Sequence, residues 1–81
     1  MEKRNFVVFD EIIQGVVSAA NEVELKVKIT TLLDGVREPI KSIKLPSFND
    51  FNDMEAHEIT VEYDGEEMDD EEFFVQRVNI I

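Results

Sequence analysis

Apolar residues between positions 6 and 21 recur with the spacing of an amphipathic helix. On a helical wheel they gather on one half, the polar residues fall on the other, and Val7 alone is misplaced. The apolar half consists of Phe6, Val8, Phe9, Ile12, Ile13, Val16, Val17, Ala19 and Ala20. Asn5 suits the N-cap, and Asn21 suits the left-handed position after the last turn. The pattern predicts an N-terminal helix, although its β-branched content would also permit a strand.

From position 23 the period changes to two, which is typical of a strand with one buried face. Apolar and polar residues alternate as far as Asp34-Gly35, a dipeptide that favours a two-residue hairpin turn. The returning segment, residues 36–45, contains Pro39, which cannot donate a hydrogen bond to a neighbouring strand. The pattern predicts a hairpin whose second strand lies at a sheet edge.

A loop or short helical turn, residues 47–57, follows and contains a direct repeat of Phe-Asn-Asp. Residues 58–63 then alternate again, with their acidic positions on the outward face, which predicts a third strand. Asp64-Gly65 indicates a turn, and residues 73–81 form a last apolar segment. The apolar residues of that segment do not gather on one helical face, so a strand is favoured over a helix beginning near Asp69.

These elements, in the order helix, hairpin, loop, hairpin, predict a single α+β domain that spans all 81 residues. The N-terminal helix is expected to pack on one face of a four-stranded antiparallel sheet made of two hairpins, so that helix and sheet share a core. The strand order is not determined by the pattern. A domain of this length buries only about 60 to 65% of its unfolded surface, which leaves a narrow stability margin.

Charge is distributed unevenly along the chain, whose formal net charge is −11. Twelve carboxylates and no Lys or Arg lie between Pro46 and Gln76, whereas the other residues carry seven acids and eight bases. The net charge exceeds the roughly 2 to 8 units that suffice for solubility in a small domain. It also disfavours direct contact with nucleic acid or with an anionic membrane, so the expected partner is a cation or a basic protein.

The chain contains no cysteine, which excludes disulfides and thiolate metal sites and suits a reducing compartment. Charged residues at positions 2–4 and 10–11 interrupt the first apolar run. Such a run is neither a signal-peptide core nor a membrane span, so a cytoplasmic location is expected.

The acidic segment has three interpretations: a solvated face without a specific partner, a surface that recognises a basic protein, or a calcium site. Duplex DNA carries one charge per about 1.7 Å of axis, so twelve carboxylates match about six base pairs, or about 20 Å. A strand of six residues has about the same length, which favours mimicry of a nucleic-acid backbone. The calcium loop template fails from Asp50 and from Asp64, because neither has Gly at position six, which leaves only weak binding outside the template.

Phe48, Phe51 and Met54 recur every three residues beside the acids. They either extend the core over the open end of the sheet or serve as exposed apolar anchors for a partner's pocket. An interface needs such anchors, because charges at its rim mainly set the association rate and the salt dependence. His57, the single histidine, is expected to be structural or exposed, with Glu55 and Glu58 favouring its protonated form.

Catalysis has little support in this sequence. No nucleophile, base and orienting group occur together, and the three glycines are isolated rather than gathered in a phosphate-binding loop. His57 has neither a second imidazole nor a thiolate with which to form one of the usual metal sites. We expect a protein that is not an enzyme and that needs no cofactor.

In size and charge, the chain resembles the small acidic inhibitors that phages and plasmids encode against host nucleic-acid enzymes. It also resembles the immunity proteins that neutralise basic nuclease toxins. The resemblance lies in the composition of the acidic segment, and it implies a basic, nucleic-acid-binding enzyme as the partner. It assigns no role to an individual residue.

The sequence therefore predicts a partner-binding surface on the second hairpin and the loop before it, in a monomer or homodimer. The predicted residues are Glu58, Glu62, Asp64, Glu66, Glu67, Asp69, Asp70, Glu71, Glu72, Phe48 and Phe51. Tyr63 and Met68 are further candidates for apolar contact. The alternative function is assembly through exposed strand edges, namely the strand after Gly35 and the apolar terminus, residues 78–81.

Overall fold

The structure, a computed structural model, describes residues 3–34, 39–65 and 69–79. Five strands and one α-helix occur in these residues. They are β1 Arg4–Phe9, β2 Gln14–Ala19, α1 Glu22–Leu33, β3 Ile40–Lys44, β4 Ala56–Tyr63 and β5 Glu71–Val78, with a short 3-10 helix, η1, at Phe48–Asp53. The α+β class is confirmed, but the sheet has five strands rather than four.

All neighbouring strands are antiparallel, and their order across the sheet is β2-β1-β5-β4-β3. The predicted second hairpin is confirmed, because β4 pairs with β5, with Ile59 opposite Phe73. The predicted edge position of the strand after Pro39 is also confirmed, because β3 is the last strand of the sheet. The short helical turn expected within residues 47–57 is η1.

The predicted N-terminal helix is wrong, because residues 6–21 contain the β1–β2 hairpin. Phe6 and Val8 are buried in the core, while Val7 and Phe9 lie on the opposite face of β1. A strand with apolar residues on both faces lacks strict alternation, so its spacing matched a helical face by coincidence. The β-branched and aromatic content of the segment was the better indicator.

The predicted strand over residues 23–33 is also wrong, because this segment forms α1. Leu25, Ile29 and Leu33 are its buried residues, and their spacing of four fits either period. The Asn21 side-chain oxygen accepts a hydrogen bond from the backbone N–H of Glu24 at 2.8 Å, so Asn21 begins this helix instead of ending an earlier one. The predicted first hairpin therefore does not form, and β3 pairs with β4.

One face of the sheet, which we call the inner face, is covered by α1 and η1. Phe51 of η1 is fully buried, and its ring lies 5.5 Å from that of Phe6, edge to face. Asn52 fastens η1 to the sheet, because its side-chain oxygen accepts hydrogen bonds from Arg4 at 2.8 Å and from Arg77 at 2.7 Å. The buried core consists of Phe6, Val8, Ala19, Leu25, Ile29, Leu33, Ile43, Phe51, Ile59, Val61, Tyr63, Phe73 and Val75.

Gly15 allows α1 to pack closely on the inner face of β2. A Cβ atom at this position would lie 2.5 Å from Cδ1 and 2.8 Å from Cδ2 of Leu32. Both distances are far shorter than a normal carbon contact. Any larger residue at position 15 must therefore displace the Leu32 side chain or the helix.

We predict that Gly15→Val lowers the free energy of unfolding by about 1 kcal/mol, the lower end of the cost of overfilling a core, because the atoms it meets are the far end of the half-buried Leu32 side chain. The measurement is urea unfolding followed by circular dichroism. Leu32→Ala is the control background, because it removes the atoms that collide with the new side chain. If Gly15→Val costs as much in the Leu32→Ala background as in the native one, close packing is not the reason for the glycine.

Candidate functional site

The outward face of β4 carries the acidic residues that the sequence placed there. Ile59, Val61 and Tyr63 are buried on the inner face, so Glu58, Thr60 and Glu62 lie on the opposite, outer face. Across the β4–β5 pairing, Glu58 lies beside Phe74 and Thr60 lies beside Glu72. The strand pairing thus joins carboxylates of both strands on the outer face.

Two chain connections meet at one end of the sheet and add further carboxylates. Phe9, the last residue of β1, pairs with Phe74 near the start of β5. The β1–β2 turn, residues 10–13, therefore lies at the same end as the β4–β5 connection. We call the carboxylates of this end and of the adjoining outer face the acidic surface. Its described members are Asp10, Glu11, Glu58, Glu62, Asp64, Asp69, Asp70, Glu71 and Glu72.

Asp10 and Glu11 were not predicted as site residues, because the sequence pattern placed them on the polar side of a helix. Only the pairing of β1 with β5 brings them beside Glu71 and Glu72. The predicted residues Glu66 and Glu67, and the candidate Met68, lie outside the described residues. The predicted acidic residues that the structure describes do lie together on the acidic surface.

Glu62 of this surface has a cationic partner on the neighbouring strand. Its carboxylate lies 3.2 Å from the ammonium group of Lys44 on the neighbouring strand. The hydrogen bond and the charge of Lys44 hold the pKa of Glu62 below its ordinary value. Lys44 of β3 therefore compensates part of the negative charge of β4. As a result, the centre of the remaining negative charge on the outer face lies closer to β5.

An open cleft of about 540 Å³ lies on the outer face beside the β1–β2 turn. We call it the outer cleft. Its lining consists of Phe9, Asp10, Glu11, Ile12, Glu58, Glu71, Glu72 and Phe74. The rings of Phe9 and Phe74 stack at 5.6 Å with 25° between their planes. Phe74 is 39% exposed and Ile12 is 82% exposed, so the cleft presents apolar surface among carboxylates.

Asp10 fixes the backbone of the turn that forms one wall of this cleft. Its carboxylate oxygen accepts hydrogen bonds from the N–H groups of Ile12 at 2.7 Å and of Ile13 at 2.6 Å. The N–H of Asp10 in turn donates to the carbonyl of Ile13 at 2.9 Å. This arrangement is the local side-chain turn that Asp favours, and it holds the Ile12 side chain in an exposed position.

The expected role of Phe51 as an exposed anchor is wrong, because its side chain is 0% exposed. Phe48 is half-buried against the same core, 5.5 Å from Phe6 and 5.3 Å below the Arg4 guanidinium. Tyr63 is also buried. The exposed apolar residues next to the acids are instead Ile12 and Phe74.

His57 interacts with Asp53 rather than with Glu55 or Glu58. Its Nε2 lies 2.9 Å and 3.0 Å from the two carboxylate oxygens of Asp53, and its ring meets that of Phe51 edge to face at 5.3 Å. The hydrogen bond to Asp53 raises the pKa of His57 above its ordinary value. Bonds from the Glu55 N–H and from His57 lower the pKa of Asp53. The pair braces η1 against β4, away from the acidic surface.

Over residues 3–34, 39–65 and 69–79, no group of three or more His, Asp or Glu side chains is placed to hold a metal ion. In the part of the chain that the structure describes, no helix has the length and apolar character needed to cross a membrane. Comparison with family models, with curated protein sequences and with solved structures gives no match to this chain.

We predict that His57 titrates above its ordinary pKa of about 6.5. Asp53→Asn should return the midpoint toward that value, because it removes the carboxylate that favours the imidazolium. The measurement is an NMR titration of the imidazole protons, which report one group because the chain has one histidine.

The stability contribution of this pair should depend on pH in a defined direction. Because folding raises the pKa of His57, its contribution is complete below about pH 6.5 and disappears as the pH rises through the folded pKa. Asp53→Asn should therefore destabilise the protein more at pH 6 than at pH 9. An equal loss at both pH values would contradict an ionic role for the pair.

Proposed function

We propose that this chain is a non-catalytic protein that binds a basic surface of a nucleic-acid-binding protein. In this proposal it acts as an inhibitor of the phage or plasmid type, and its carboxylates take the place of nucleic-acid phosphates. The supporting observation is the concentration of nine described carboxylates at one end of the sheet and on the adjoining outer face. A merely solubilising surface would intersperse its charges.

The distribution of bases supports a directional field. Lys3, Arg4 and Arg77 lie at the opposite end of the sheet, where β1 begins and β5 ends. Acids also lie near that end, where Lys3 pairs with Glu24 at 3.5 Å, so that end is mixed in charge while the acidic surface is negative. Such a field orients a basic partner before contact and raises the association rate.

The size of the surface also fits the proposal. The acidic surface runs along β4 from Glu58 to Asp64, about 20 Å, which corresponds to about six base pairs of duplex at 3.4 Å each. A basic groove that accommodates a short duplex is long enough to accept this face of the sheet. The buried surface of the partner would then be the one that nucleic acid occupies.

We predict that neutralising the acidic surface abolishes capture of the partner without unfolding the protein. The test variant is Asp69→Asn, Asp70→Asn and Glu72→Gln, all exposed residues of the acidic surface. The matched control is Glu22→Gln, Asp50→Asn and Glu55→Gln, which changes the net charge equally at exposed positions elsewhere. Retention of proteins from a bacterial lysate on each immobilised variant is compared, with circular dichroism to check the fold.

The retained protein should be released by a duplex DNA oligonucleotide or an RNA oligonucleotide, and its association rate should fall about tenfold or more between low and high salt. Equal retention by both variants would overturn the assignment of the surface. If neither high salt nor either oligonucleotide reduces the retention of the partner, the proposal that the carboxylates mimic nucleic-acid charge is wrong.

Strand-edge assembly is a second candidate, favoured by the difference between the two edges of the sheet. β3 is protected by Pro39, by an irregularity in its register at Lys41 and by the exposed Lys44. β2, Gln14–Ala19, has no charge and no proline, and Val16 is 56% exposed. The sequence also predicted pairing between copies through the apolar residues 78–81. Val78, the apolar residue of that segment that the structure describes, ends β5, which already pairs with β1 on one side and with β4 on the other.

If assembly through β2 occurs, sedimentation of the purified chain at micromolar concentration will show a dimer, and Val16→Lys will return it to the monomer. A charged residue on an edge strand opposes pairing between copies. A native monomer at that concentration would exclude this candidate and leave the inhibitor proposal unaffected.

A further inference from the structure

We infer that the outer cleft receives an apolar side chain of the basic partner, from a segment in which Lys or Arg residues flank that side chain. The inference rests on the proposed function, since it names the part of the partner that the acidic surface would hold. In this inference the apolar contacts with the partner are Phe9, Ile12 and Phe74 rather than the predicted Phe48 and Phe51.

The floor of the cleft is apolar and only partly covered. Phe9 and Phe74 lie side by side on neighbouring strands, stacked at 5.6 Å. Their ring pair is exposed to water because α1 and η1 both cover the other face of the sheet, and Phe74 remains 39% exposed. An apolar side chain placed against these rings would remove apolar surface from water on both partners.

The size and rigidity of the cleft suit such an insertion. Its volume of about 540 Å³ lies within the range of about 300 to 1,000 Å³ that is common for ligand-binding clefts. The wall formed by Ile12 is fixed by the two hydrogen bonds that Asp10 accepts from the turn. A preformed wall reduces the entropy that binding has to overcome.

The rim of the cleft specifies the charge of the occupant. Glu58 lies beside Phe74 on β4, and Glu72 is two positions from Phe74 on the same face of β5. Asp10, Glu11 and Glu71 complete the lining, and none of the described lining residues is Lys or Arg. Long basic side chains can lay their apolar stems on the rings and place their charges among the carboxylates.

A second copy of this chain is a poor occupant, because its own net charge is −11 and its acids would face those of the rim. A neutral apolar ligand would use the rings but would not complement the negative charge of the rim. A basic segment with one apolar side chain matches both features, and the exposed basic groove of a nucleic-acid-binding protein supplies such segments.

The test uses two synthetic peptides of nine Lys and Gly residues that differ only at the central position, which is Leu in one and Ser in the other. Binding to the full chain at low salt is measured by NMR titration. We expect the Leu peptide to bind about tenfold more tightly, because partial burial of a leucine is worth about that factor. The amide signals of Ile12 and Phe74 should shift with the Leu peptide.

Phe74→Ser should remove the preference for Leu, so that the Leu and Ser peptides bind this variant with equal affinity. Val16→Ser is the matched control, since Val16 is an exposed apolar residue of the same face that does not line the cleft. Glu58→Gln with Glu72→Gln should weaken both peptides, because these acids hold the basic residues.

The outcomes separate the two proposals. If both peptides bind equally, or if Val16→Ser removes the preference as Phe74→Ser does, the inference about the cleft is wrong while the proposed function stands. If neither peptide binds even at low salt, the acidic surface does not attract basic chains, and the proposed function fails with it.

Discussion

The insertion of β5 between β1 and β4 is the constraint on which the rest of the structure depends. The β1–β2 hairpin and the β3–β4 pair have no direct pairing with each other, so β5 alone joins them into one sheet. On the inner face, Phe73 and Val75 connect the buried residues of β1 to those of β4. On the outer face, Phe74 connects Phe9 to Glu58. The core and the outer cleft therefore both require the pairing of β5 with its two neighbours. Contacts so distant in sequence carry an entropic cost before they are made, which affects the folding rate more than the stability.

The position of η1 explains why the exposed apolar residues are on the outer face. The inner face of a five-stranded sheet is too wide for the twelve residues of α1, and η1 covers the remainder by inserting Phe51 and placing Phe48 against Phe6. Arg4 and Arg77 hold it there through Asn52. The two phenylalanines of the Phe-Asn-Asp repeat are thus used for the core. No corresponding element covers the outer face in the described residues, where Phe9 and Phe74 cover each other only in part. Apolar surface consequently remains exposed on the outer face, beside the acids.

The second half of the chain was predictable because its patterns are unambiguous. The alternation from Glu58 to Tyr63 separates apolar from acidic positions, and the strand, its outward acids and the following turn were correctly located. The first half was not predictable by period alone. Residues spaced by four, such as Leu25 and Ile29, fit a strand and a helix equally. Asn21 suits either end of a helix, and only Glu24 three residues later indicates the beginning. The outer cleft could not be found from sequence, because it depends on the strand order that brings Phe9 and Ile12 beside Phe74.

Carboxylates around an apolar cleft act against one class of partner as much as they favour another. An exposed apolar patch on a small protein ordinarily promotes self-association, and the uncharged outer positions of β1 and β2 would extend the patch around Phe74. Two copies meeting through this face would bring Glu58, Glu72 and the acids of the β1–β2 turn against their equivalents. Like charges brought together at an interface cost several kcal/mol, and this repulsion offsets the gain from apolar burial. The same charges attract an approaching surface that is basic. The rim therefore opposes self-association through the exposed rings and, in the proposed function, leaves them available to a basic partner.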